Sequence, residues 1–148
     1  PACHAIDGVV DEDCRDLFAA RRRVHDLGRA DGGEVAPTTL EGQVTTTSPY
    51  GRQKEHCGLP IRMSELLATL DGACFVERVS MHDVPHIIQA KKAIKKALTY
   101  QMEGRGFSLV ELLSTCPTNW GMTPKAALGW LKDNMIPYYP LGVKKEVE

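Results

Sequence analysis

The residues of this 148-residue chain that could do chemistry are few, and they cluster by type. Cys116 sits in Ser114-Thr115-Cys116-Pro117-Thr118-Asn119-Trp120, directly behind the apolar run Phe107, Leu109, Val110, Leu112 and Leu113. Bounded by Gly106 and Pro117, that run reads as a buried strand, which Pro117 ends because it has no amide to donate. Cys116 therefore falls at the carboxyl end of a strand, where a parallel sheet presents its functional groups. A thiol there can be a ligand, a nucleophile or packing, and the plain reading is a buried thiol at a strand end. His56-Cys57, and His82 with His86, offer ligand types suited to zinc, but no set of four at the usual spacing is complete. His82 and His86 lie four apart, yet Asp83 starts a helix after the first, so the two need not share a face. Gly32-Gly33, ahead of a Thr-rich loop, could cradle a phosphate through backbone amides, although the Gly-Lys-Thr/Ser of a nucleotide loop is missing.

These groups need elements to hold them. Ile61 to Leu70 reads as a helix closed by Asp71-Gly72, and Ala73 to Val79 as a strand centred on Phe75 and Val76. Asp83 is a good N-cap for the next helix, with Pro85 tolerated in its first turn. That helix should run to about Met102, with Val84, Ile87, Ile88, Ile94 and Leu98 on its buried face. Lys91, Lys92, Lys95 and Lys96 occupy the other face, open to a phosphate or an acidic carrier, or simply solvated. The Phe107 strand follows, running to about Thr115, then a helix from about Thr123 to Met135, with Pro137 and Pro140 closing the fold. Strands alternating with long helices predict an α/β architecture of parallel strands with flanking helices. Two strands are too few to bury their own faces, so this pattern reads as the last part of a larger domain. Residues 36–60, rich in Thr, Ser, Pro and Gly, are expected to be a loop without a packed element, its hydroxyls and free amides suited to a phosphate or a partner surface. Residues 1–31 lack apolar periodicity beyond a short helix from about Glu12 to Val24.

Composition narrows the classes. A net charge of −1 gives no electrostatic case for nucleic-acid binding. No apolar run approaches the ~20 residues of a membrane span, and the N-terminus lacks a basic-then-apolar signal. Five cysteines at irregular spacing do not form a disulfide framework, so a reduced, cytoplasmic protein is expected.

Read together, several segments resemble one family. They are Ala36-Pro-Thr-Thr-Leu40, Thr45-Thr-Thr-Ser-Pro-Tyr-Gly-Arg52, Gly58-Leu-Pro-Ile-Arg-Met63, Gln89-Ala-Lys-Lys-Ala-Ile-Lys-Lys-Ala97, Leu113-Ser-Thr-Cys-Pro-Thr-Asn-Trp-Gly121 and Ile136-Pro-Tyr-Tyr-Pro-Leu-Gly142. In that order they look like the C-terminal part of the thiamine-diphosphate-binding beta subunit of 2-oxoacid:ferredoxin oxidoreductases, nearest the 2-oxoglutarate and branched-chain types. The resemblance implies oxidative decarboxylation of a 2-oxoacid to an acyl-coenzyme A, with electrons passed through iron–sulfur clusters to ferredoxin. It implies thiamine diphosphate, Mg2+ and a [4Fe–4S] cluster as cofactors, and alpha, gamma and ferredoxin-like delta subunits, ferredoxin and coenzyme A as partners. By the same resemblance Cys116 is a late ligand of the cluster, and Gly32, Gly33, Thr38 and Thr39 belong to the segment near the diphosphate. The family's Gly-Asp-Gly motif, which binds the magnesium, and its N-terminal Cys-x-x-Cys are absent here. Residues 1–31 therefore read as a divergent or degenerate segment, and 32–148 as the C-terminal part of the thiamine-diphosphate-binding domain. The chain alone is expected to be inactive, to bind the cofactor weakly or not at all, and to hold no stable cluster. The alternative is a non-catalytic interaction module or an inactive truncated subunit.

Overall fold

The computed structural model describes residues 35–147, and the chain divides into two compact units at Ile61/Arg62. In the first unit, one side chain organises the loop. Arg52 is 2% exposed. Its Nε donates to the Gly58 carbonyl at 2.8 Å, Nη1 to those of Ala36, Pro37 and Thr39, and Nη2 to those of Cys57 and Leu59 at 3.0 Å. A guanidinium presents five donors in a rigid planar fork, so one buried arginine can gather carbonyls from two stretches that no strand or helix pairs. Segment 36–60 is thus a folded loop, which corrects the expectation that it holds no packed element. The helix α1, Lys54–Cys57, turns within it. Thr45 and Ser48 exchange backbone hydrogen bonds of 3.1 Å, and Gly42 N donates to Arg52 O at 2.8 Å. Gly51, at φ +74°, lies where an added Cβ would meet Gly42 O at 3.0 Å, so only glycine fits that return.

The second unit keeps the predicted order and adds one strand. Helix α2 is Met63–Ala68, β1 Ala73–Ser80, α3 Val84–Met102 and β2 Phe107–Leu113. Then come α4, Pro117–Trp120; α5, Pro124–Trp130; a π-helical turn, Leu131–Met135; α6, Ile136–Tyr138; and β3, Gly142–Glu146. The sheet order is β2-β1-β3. β1 and β2 are parallel, paired from Ala73↔Phe107 to Ser80↔Leu113 with a register shift between Ala73 and Phe75. β3 is antiparallel to β1, so the sheet is mixed rather than wholly parallel. The sequence Gly-Val-Lys-Lys-Glu hid β3, because charged residues are what an edge strand carries and what a buried strand does not. The expected helix to Met135 is Pro124–Trp130 followed by the π-helical turn, just ahead of Pro137, which cannot donate to the ladder.

β1 is buried along its whole length because helices cover both its faces. On one face α3 packs Ala90, Ala93 and Ala97 against Phe75, Val79 and Cys74, with Tyr100 and Val110 alongside. Three alanines on the inner face let the helix axis come close to the sheet. The expected core face of α3 is therefore corrected: Val84, Ile88, Ile94 and Leu98 are exposed, Ile87 is half-buried, and the alanine stripe meets the sheet. Lys91, Lys92 and Lys95 are exposed as expected, but Lys96 lies 5.1 Å from the Phe75 ring centre and pairs with Glu146 at 2.5 Å.

The other face centres on Arg78, which is fully buried. It donates to both carboxylate oxygens of Glu65 on α2, to Glu111 on β2 at 2.8 Å, and to Pro140 O at 3.2 Å. Its guanidinium also lies 5.2 Å from the Tyr139 ring centre, and Ser64 donates to Glu111. Arg78 and Glu111 are direct register partners across β1 and β2, so sheet pairing itself brings these charges together. A buried cation is tolerated here because every side of it meets an anion, a carbonyl or an aromatic face.

Candidate functional site at the carboxyl end of the parallel pair

Met81 N donates to Leu113 O at 3.0 Å, so the chain leaves β1 and β2 side by side. Two sets of reactive side chains emerge at this end. From β2 comes Cys116. The strand stops at Leu113, three residues earlier than Cys116, and the thiol sits at the N-cap position of α4 instead of on the strand. It is exposed, which corrects the expectation of a buried thiol. Its carbonyl accepts from Trp120 N at 3.0 Å, and Pro117 opens the turn, so the backbone holding the thiol is fixed.

From β1 come His82, Asp83 and His86. Asp83 caps α3 as predicted, its Oδ1 accepting from His86 N at 2.9 Å and from His86 Nδ1 at 2.5 Å. His82 Nε2 lies 3.2 Å from Asp83 Oδ2. The fully buried Ser80 meets His82 Nδ1 at 2.8 Å. The two imidazole rings are 4.2 Å apart at their centres, so the histidines do share one space, although the helix begins between them. The hydrogen bond from the His86 amide, then that from its ring, hold the Asp83 carboxyl below its ordinary range.

The remaining candidates stand on other segments. Cys74 is buried, its Sγ 3.3 Å from Phe107 O and 3.3 Å from Ser108 Oγ, at the opposite end of the sheet. Cys57 is half-buried and belongs to the first unit, as does the exposed His56. Gly32, Gly33, Cys3 and Cys14 lie outside the described residues. Thr38 and Thr39 stand in the turn above Arg52, with Thr39 buried, its amide given to Ala36 O and its carbonyl accepting from Arg52. The amides of Leu40, Gly42, Gln43, Thr45, Ser48 and Gly51 are likewise engaged inside the loop. This stretch is therefore not the row of free amides expected from its composition. Two residues with positioning roles escaped the sequence reading. Arg52 could have been found as the lone cation ending a Thr/Ser/Pro/Gly tract, and Ser80 as the hydroxyl two residues before His82 on an alternating strand.

The sequence has relatives among known proteins. It is 46% identical over 110 residues to the ketoisovalerate oxidoreductase subunit VorA of Methanothermobacter thermautotrophicus, covering 74% of this chain and 23% of that protein. It is 37% identical over 103 residues to the 2-oxoglutarate synthase subunit KorB of Archaeoglobus fulgidus, covering 70% of this chain and 34% of that one. The KorB subunit of Methanothermobacter marburgensis is 36% identical over 110 residues, 71% of this chain and 34% of its own length. This chain is a homologue of 2-oxoacid:ferredoxin oxidoreductase subunits. The match is to the C-terminal part of such a subunit, as the sequence resemblance implied, and the chain spans about a quarter to a third of these relatives (23% and 34%). No family model matches, and no solved structure matches significantly. No helix among the described residues is long and apolar enough to cross a membrane.

Proposed function

We propose that this chain serves within a thiamine-diphosphate-dependent 2-oxoacid:ferredoxin oxidoreductase, where its second unit presents a cluster-ligating thiol at the carboxyl end of a parallel strand pair. The observation that carries this reading is Cys116: an exposed thiol on a turn fixed by Pro117 and the Trp120 amide, in a segment that resembles the family's. Thiamine diphosphate, when bound, supplies the carbanion chemistry that releases carbon dioxide from a 2-oxoacid. What this chain adds is position. A thiolate at a strand end, with its backbone locked, needs little reorganisation to become a ligand.

The described residues fit these cofactors only in part. A cubane wants four thiolates, and among the described residues of the second unit Cys116 alone stands at this end of the sheet, with Cys74 at the other. Thr39 is buried with its amide given to Ala36 O, so that amide is not open to a diphosphate. The other ligands would come from Cys57, from the cysteines within residues 1–34 or from partner subunits of the alpha, gamma and ferredoxin-like delta type, with ferredoxin and coenzyme A as the assembled enzyme's partners. A second reading, a subunit-contact module without its own catalysis, is favoured by the outward apolar side of α3, where Leu98 is 54% and Met102 89% exposed.

The test is anaerobic co-expression with candidate partner subunits, followed by iron and sulfide analysis and an assay of 2-oxoacid- and coenzyme A-dependent reduction of a viologen dye. The proposed role predicts iron and activity in the complex, both lost in Cys116→Ser while the subunits still co-purify. Iron content and activity unchanged by Cys116→Ser would refute the ligand assignment. Stable co-purification without either would favour the contact module.

A further inference from the structure

The cluster at the β1–α3 junction has no part in the role proposed for Cys116. We propose that His82, Asp83 and His86 form a binding site for a divalent transition ion of the zinc class. The candidate ligand atoms of these three residues all lie within 4.8 Å of one another. Two imidazoles and a carboxylate are the donor set of open zinc sites, with the fourth position left to water or another ligand. Imidazole nitrogens disfavour Ca2+ and Mg2+, which take oxygen.

Three features go beyond mere proximity. The segment holding the ligands is fixed at both ends: His82 follows the buried β1, and Asp83 and His86 occupy the first turn of a 19-residue helix. Ser80, fully buried, contacts His82 Nδ1 and so turns Nε2 toward Asp83; an outer-shell partner of this kind sets ring orientation and tautomer at metal-binding histidines. Finally, the Asp83 carboxylate already bridges the two rings, with Oδ1 on His86 and Oδ2 near His82. An incoming ion would take the ring nitrogens that face Asp83, each neutral imidazole keeping its proton on its other nitrogen. The carboxylate also offsets the unfavourable field of the helix N-terminus on a cation.

The test uses the full 148-residue chain, untagged and reduced, titrated with Zn2+ by calorimetry and with Co2+ by absorption. One equivalent should bind, and the Co2+ spectrum should lack a thiolate charge-transfer band. Zn2+ should shift the ring nitrogen resonances of His82 and His86, and not those of His56. His82→Gln and His86→Gln should abolish this binding. Asp83→Ser, which keeps an N-cap hydroxyl while deleting the carboxylate, should weaken it strongly with α3 intact by circular dichroism. Ser80→Ala should weaken it roughly tenfold or more through the lost outer-shell contact. A thiolate band, or loss of binding in Cys116→Ser with retention in His82→Gln, would assign the ion to cysteine and overturn the site. So would unchanged His82 and His86 resonances in the unmodified protein at saturating Zn2+.

Discussion

At the scale of single residues, two side chains set the behaviour of the surface and of the loop. Cys116 is exposed, Cys57 half-buried and Cys74 buried with its thiol against Phe107 O and Ser108 Oγ. Among the three described cysteines, a neutral alkylating reagent should therefore modify Cys116 first and Cys74 only on unfolding, as peptide mapping by mass spectrometry would show. Equal labelling of Cys74 in the native protein would contradict its burial. Arg52 is the loop's internal scaffold, and lysine cannot replace it, since an ammonium has three donors at one point and no fork. Arg52→Lys and Arg52→Ala should each cost about 2–4 kcal/mol, as expected when several buried carbonyls lose their donor. Limited proteolysis is the direct readout: new cuts within residues 36–60 are expected in both variants, and an unchanged digestion pattern would remove Arg52 from its central place.

At the scale of elements, the sequence reading succeeded where local chemistry decides. The Asp83 cap, the turn after Gly104, the strand at Phe107 and the parallel pairing of β1 with β2 were legible from caps, glycines and apolar runs. It failed where packing partners decide. An apolar stripe on α3 was assigned to the core, but the sheet takes the alanine stripe, and pattern alone does not say which of two low-polarity faces meets it. The edge strand β3 is hidden in the sequence because its lysines read as solvated, whereas in the fold both are half-buried, Lys145 donating to Leu70 O and Lys144 lying 3.9 Å from Glu65. The site was half legible: Cys116 and the histidines were singled out, but their exposure and convergence depend on where β1 and β2 end. The alanine face makes a clear prediction. Ala93→Leu should destabilise the second unit by about 1–3 kcal/mol through overpacking against Val79 and Val110. Leu98→Ser on the opposite face should leave the midpoint of urea unfolding nearly unchanged in this chain. The reverse order of effects would restore the original assignment. Gly106→Ala should be as harmful as Ala93→Leu, since its Cβ would lie 2.8 Å from Gly72 O at φ +131°.

At the scale of the whole molecule, a buried arginine recurs: Arg52 gathers carbonyls of the loop, and Arg78 gathers carboxylates in the second unit. The carboxylates make the Arg78 cluster sensitive to acid. The hydrogen bond from Arg78 holds the Glu65 carboxyl below its ordinary value of 4.5. Burial alone would lower the Arg78 value, but Glu65 and Glu111 outweigh it and keep the guanidinium charged. The sign follows from linkage. A carboxyl whose folded value is depressed contributes stability in full above its unfolded value, and that contribution is lost as pH falls through the folded one. Stability of the second unit should therefore be level in this respect down to about pH 4.5 and decline below it. Asp83 and Glu146 are also held low, the latter first by Lys96 and then by Tyr100, so acid unfolding of the unmodified chain sums several groups. The difference between the chain and Glu65→Gln isolates one of them. Unfolding in urea, followed between pH 7 and pH 3, should show a gap that is constant down to about pH 4.5 and closes in more acid solution. Breaking a buried ion pair from one side leaves the other charge without its partner, so the gap at neutral pH should be large compared with that of an exposed pair such as Lys96–Glu146. A gap independent of pH would mean that Glu65 is held by packing and not by Arg78.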